Sequence, residues 1–121
     1  MTHESLDRRK HKRYAASDYS MALFAKAVGL VSDISEVGMA LNIIDYQESL
    51  SSEKEITFHC KMPDTIITGL PVKVVREEAM KFSRFGGFIT QKIGIRFDNP
   101  GDLHQEQIRQ HISGLPKTAT S

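Results

Sequence analysis

From Ile56 to Met62 every second residue is apolar (Ile56, Phe58, Cys60, Met62), with Thr57, His59 and Lys61 between them. A period of two sorts these residues onto opposite faces of an extended strand, which no helix can do. The alternation recurs along the chain. Tyr19, Met21 and Leu23 alternate with smaller residues, Val28 to Ser32 forms a short run, and Leu41 and Ile43 keep the period within Met39 to Ile44. Leu70, Val72 and Val74 alternate with Pro71, Lys73 and Val75, and Phe88 to Thr90 with Ile93, Ile95 and Phe97 complete the series. Turn-forming residues punctuate it: Asp33 to Gly38, Pro63, and Gly86-Gly87. Pro71 has no N–H for a ladder, which predicts that its strand begins there, at an edge.

The period changes once. Asp102 is the expected N-cap of a helix in which His104, Ile108, His111, Ile112 and Leu115 share a face, ended by Gly114 and Pro116. Six or seven short strands and then one helix predict a mainly-β fold, a small antiparallel barrel of Greek-key-like order with the helix over an opening. The 121 residues suffice for one domain. Residues 1–18 lack periodicity and read as a flexible basic arm, 19–116 as barrel plus helix, and 117–121 as a polar tail.

The formal charge of +1 argues against a coat for a bulk polyanion, but it averages two unlike parts. Residues 1–14 hold Arg8, Arg9, Lys10, Lys12 and Arg13 against Glu4 and Asp7, a sum of +3. The remainder holds eleven basic and thirteen acidic residues, a sum of −2. Cys60 is the sole cysteine, so no intramolecular disulfide forms and a reducing, cytoplasmic setting is expected. The longest apolar runs, such as Met21 to Ala25, fall far short of the roughly 20 residues that span a bilayer. No membrane insertion is expected, and no signal-peptide core follows the basic start.

Two motifs carry chemistry. The run Arg8-Arg9-Lys10-His11-Lys12-Arg13 is either a solvated charge run or a set of planar forks suited to phosphate and to the O6/N7 edge of guanine. The run Asp33-Ile34-Ser35-Glu36-Val37-Gly38 is either an ordinary turn, with Gly38 at positive φ, or a site. As a site, Asp33 accepts from guanine N–H groups, Ser35 donates or accepts beside it, and Gly38 lets backbone approach a ligand.

In this order and spacing, Arg9-x-x-x-Arg13 and then Asp33-x-Ser35-x-x-Gly38, the chain resembles the PilZ domain family. The resemblance extends over most of the chain, through Met39 to Ile44, Gly94-Ile95-Arg96-Phe97 and the final helix. It implies a six-stranded antiparallel barrel and a receptor for cyclic di-GMP without catalysis or cofactor. By the same resemblance Arg9 and Arg13 would hold phosphates and guanine edges, Asp33 and Ser35 a guanine, and backbone near Gly38 the pocket wall. Arg8, directly before the motif, implies an intercalated pair of nucleotides. The stacking aromatic that some members of the family place on a middle strand has no counterpart among Val74, Val75 and Arg76. With no output module in these residues, the chain is expected to signal through an unidentified downstream effector protein.

Two other functions fit parts of the chain. A small barrel could bind RNA or single-stranded DNA through the arm, but near-neutral charge and the lack of regularly exposed aromatics oppose a nucleic-acid polymer. A PilZ-like adaptor working by protein contact alone is opposed by the intact Arg9, Arg13, Asp33, Ser35 and Gly38. His104 and His111, seven apart, lack a third ligand for metal. Phe82, Phe85 and Phe88 are either loop and core packing or a partner-binding patch.

Overall fold

A computed structural model describes residues 11–46, 48–78, 81–82 and 89–115. The strands are β1 (Tyr14–Ala15), β2 (Ser20–Leu23), β3 (Val28–Ile34), β4 (Gly38–Ile44), β5 (Glu55–Lys61), β6 (Asp64–Glu77), β7 (Lys81–Phe82) and β8 (Ile89–Phe97), followed by the helix α1 (Asp102–Ser113). Six of them close a barrel in the order β3, β2, β5, β6, β8, β4 and back to β3, with every neighbour antiparallel. The expected antiparallel barrel with a C-terminal helix is therefore present. After β4 the chain places β5 beside β2, so the order departs from a plain meander.

The inward set of each strand makes the core. Ala22, Leu41, Ile43, Phe58, Cys60 and Leu70 are fully buried, each large aliphatic or aromatic side chain contributing about 1.5–3 kcal/mol. Three register shifts interrupt the alternation. Ser32 is extra in β3, Thr68-Gly69 face the single Thr57, and Val75 is extra in β6. Such bulges bend and twist a strand, which closure of a small barrel requires.

Several expectations are corrected. Residues 14–16, drawn with the arm, belong to the folded body: Tyr14 and Ala15 pair with Ile34 and Asp33, and Tyr14 and Ala16 pack on the core. Pro71 does not start its strand. β6 begins at Asp64, and Pro71 lies where it leaves β5 for β8. Its carbonyl accepts from Asp98 N–H (2.8 Å), so its nitrogen faces the same side, just past the last residue of β8, where no ladder bond is lost. Gly101, not Asp102, is the N-cap, and Asp102 is the first helical residue. Gly114 is the C-cap as expected, while Pro116, the Gly86-Gly87 pair, Phe85 and Phe88 lie outside the described residues.

Gly38 is needed for a reason other than positive φ, which among the described glycines belongs to Gly69 (φ 59°). Where β4 begins, it runs so close to β8 that a Cβ on Gly38 would stand 2.2 Å from the Ile95 carbonyl oxygen. The absent side chain lets the two strands meet.

Helix α1 packs through Ile108 and His111, both buried, with Leu115 just beyond its end. The Thr65 hydroxyl donates to the Pro63 carbonyl (3.0 Å), so its oxygen accepts from His111 Nδ1–H (2.8 Å). That chain assigns the tautomer. His111 Nε2 carries the lone pair, buried without a hydrogen-bond partner, and the ring stands edge-on to Phe58 at 4.8 Å. Burial holds the His111 pKa below its ordinary 6.5.

Two predictions follow from this packing. Because folding depresses the His111 pKa, its contribution is fully present above pH 6.5 and is lost as pH falls through the folded value. Urea midpoints should drop between neutral and mildly acidic pH, and His111→Leu, weaker at neutral pH, should flatten that fall; an equal slope in both proteins would refute the assignment. Gly38→Ala should lower stability by about 1–3 kcal/mol through overpacking against a backbone that cannot rotate away. A urea midpoint unchanged from the parent would contradict the 2.2 Å contact.

Candidate functional site

Arg13, the last residue of the first motif, meets the second motif on one wall of the barrel. After the extra Ser32, Asp33 faces outward and Ile34 turns into the core. The chain then reverses over Ser35 to Val37. Ser35 N–H donates to the Gly38 carbonyl (2.9 Å), and Val37 N–H donates to Ser35 Oγ (3.1 Å). Ser35 is buried, and its oxygen is held as an acceptor, which leaves the hydroxyl hydrogen to donate outward.

Strand β1 brings Arg13 to this turn. Its pairing with β3, extended by Ala16 N–H to the Ser32 carbonyl (3.1 Å), fixes Arg13 just before Tyr14. Arg13 Nη1 stands 3.7 Å from Asp33 Oδ2, with both side chains about a third exposed. An exposed pair of this kind contributes about 0.2–1 kcal/mol, so it aligns the two groups more than it stabilises the fold.

The floor between them is made of small residues. Ala15, Asp33, Ala40, Gly94 and Arg76 are successive register partners across β1, β3, β4, β8 and β6. Ala40 and Gly94 keep the middle of this row low. At the far end the extra Val75 turns Arg76 outward, opposite Gly94. Its guanidinium lies within 3.8 Å of where a Cβ on Gly94 would stand, so the missing side chain leaves a shelf for it. In the adjacent row Gly38 pairs with Arg96, and Arg96 with Lys73.

The result is an open groove of about 600 Å³ that gathers Arg13, Asp33, Ser35, Gly38, Arg76 and Arg96. Three guanidiniums line it against the Asp33 carboxylate, with Glu78 Oε2 3.9 Å from Arg76 Nε at one end, so its field is locally positive and suited to a compact anion with hydrogen-bonding edges. A second cleft of about 510 Å³ shares His11, Val37 and Arg96 with it and reaches α1, where Arg109 Nε stands 4.0 Å from Glu36 Oε1.

Of the residues expected at a site, the structure brings Arg13, Asp33, Ser35 and Gly38 together, while Arg8 and Arg9 lie outside the described residues. Sequence reasoning passed over Arg96, although it is the outward member of an alternating strand between Ile95 and Phe97. It also left Arg76 unassigned; strict alternation after Val72 and Val74 would point that residue inward, and the extra Val75 turns it out. His104 Nε2 bonds the Thr68 carbonyl (3.0 Å) and His111 bonds Thr65; among the described residues no three metal-ligating groups cluster.

The PilZ domain sequence model matches residues 7–114. Among solved structures, the chain is similar to the PilZ domain of YcgR from Escherichia coli, described with c-di-GMP (TM-score 0.61, 14% identity, 88% of each chain covered). It is also similar to MrkH, described as a c-di-GMP-dependent transcription regulatory factor (TM-score 0.65, 17% identity, 93% of this chain covered). The match spans about half of MrkH, 52% of its length. At these identities both show a shared fold. Among curated proteins no sequence matches. With 7–114 matched and the barrel in place, this chain belongs to the PilZ domain family.

Proposed function

We propose that this chain is a cyclic di-GMP receptor that passes ligand occupancy to a partner protein. The observation that carries the reading is the convergence of Arg13, Asp33, Ser35 and Gly38 on one groove. Family membership supports it, as do two related folds described with the same nucleotide.

In this reading Arg9 and Arg13 bind phosphate and guanine edges as charge-assisted forks, and Asp33 accepts from the N1–H and N2–H donors of a guanine. The Ser35 hydroxyl donates beside it, and the backbone at Gly38 borders the base. Arg76, resting on the Gly94 shelf, supplies the flat cationic face that replaces an aromatic, and Arg96 offsets phosphate charge. Arg8 supports a second, intercalated nucleotide by adding a guanidinium for its charge. The ligand bridges the arm to the turn at Asp33 to Gly38 and orders residues 7–12, ahead of β1, against the wall, changing the surface offered to an effector. It is a switch that binds, in a cytoplasmic setting, with no catalytic step.

Isothermal titration of the folded chain with cyclic di-GMP tests this directly, and absence of binding at micromolar protein would overturn it. Two nucleotides per chain are expected; a ratio of one would reject the intercalated pair alone. Arg9→Ala and Arg13→Ala should each remove about 1.5–3 kcal/mol, roughly ten- to hundred-fold in affinity. Arg76→Ala should cost less, about two- to thirtyfold, the range of a partly desolvated cation–π contact. NMR relaxation should show residues 7–12 gaining backbone order on binding; equal order in both states would remove the switch and leave the receptor.

A further inference from the structure

The wall opposite the groove has a different character. In the barrel β2 and β5 stand across from β8 and β4. Register places Leu30, Met21, His59 and Ile66 side by side across β3, β2, β5 and β6. A second row, Val28, Leu23 and Thr57, lies two residues further along the same strands. Neighbours within such a row are about 5 Å apart, so the side chains form one continuous face. Leu30 is 44% exposed, Val28 40%, Leu23 36% and Ile66 56%, although each belongs to a type that usually sits inside.

Across these two rows there is no Lys, Arg, Asp or Glu, whereas the groove wall presents Asp33, Lys73, Arg76, Lys92 and Arg96 outward. Charges return only at the rims. Lys26, in the turn between β2 and β3, lies at the end where β5 starts with Glu55; at the other end Lys61 and Asp64 are register partners. Each rim therefore mixes both signs. When two such faces oppose one another across a two-fold axis, cation can meet anion at either rim, and the apolar rows meet without like-charge repulsion. A strongly charged partner finds no complement here; a second copy does.

We propose that two copies of this chain associate through the β2–β5 face, burying Leu30, Met21, Leu23, Val28 and Ile66 and leaving both grooves open. Apolar faces of this kind mark association sites on soluble domains. The proposal is independent of what the groove binds.

Sedimentation equilibrium of the full chain without nucleotide, from low micromolar to near-millimolar concentration at neutral pH, tests it. A monomer–dimer equilibrium is expected. Leu30→Lys and Ile66→Lys each put like charges across the axis and should raise the dimer dissociation constant at least tenfold. Leu103→Lys, on α1 and more exposed than either, should leave it unchanged. The three sites are exposed, and circular dichroism confirms which variants keep the fold; Leu30→Ala serves if Leu30→Lys does not. A monomer throughout the range, or a dimer indifferent to every folded variant on this face, would overturn the proposal.

Discussion

The inside of a six-stranded barrel has no place for an unpaired charge, and the groove depends on that exclusion. In strict alternation after Val31, Asp33 would point into the core; after Val74, so would Arg76. Each would lose its hydration for no partner, at a cost of several kcal/mol. One extra residue before each, Ser32 in β3 and Val75 in β6, turns the charge outward. In β3 the same shift turns Ile34 inward to complete the core. The bulges that let the strands bend into a barrel thus also set the two ends of the candidate site.

Between those ends the wall is low because its central residues are small. Gly38 allows β4 to meet β8, and Ala40 and Gly94 form the floor. A larger residue at either floor position would fill the space where a planar ligand would lie. Around this floor Arg13, Arg76 and Arg96 come from three separate parts of the chain, so a near-neutral molecule acquires a local positive field. Beside it, the Glu36–Arg109 contact spans the second cleft and joins the motif turn to the C-terminal helix. The opposite wall, largely apolar and without Lys, Arg, Asp or Glu in its two rows, is suited to contact of another kind. The two walls lie on opposite sides of the barrel, and β3 and β6 contribute residues to both.

Much of the architecture was legible because burial acts on every second residue. The alternation at Ile56 to Cys60 reappears as a strand with its apolar members inside, and the helical spacing of Ile108, His111 and Leu115 as the buried face of α1. The misreadings have local causes. Pro71 looked like a strand start because a missing N–H normally needs an edge, yet one gap at the end of β8 inside a long strand serves as well. Gly38 looked like a turn glycine, but its constraint is a carbonyl on a strand more than fifty residues away.

The sequence by itself marked most of the barrel strands and the helix, and it singled out Arg13 and the Asp33 to Gly38 turn as candidates for hydrogen-bonding chemistry. Those features follow from side-chain type and short-range spacing. Only the tertiary structure decided which residues share a wall. Register and bulges set the facing of Arg76 and brought Arg96 into the groove with Asp33, and they joined Leu30, Met21 and Ile66 from three segments into one apolar face. The reason is physical: a bulge reverses every outward side chain beyond it, and its position answers to closure of the whole barrel rather than to the residues beside it.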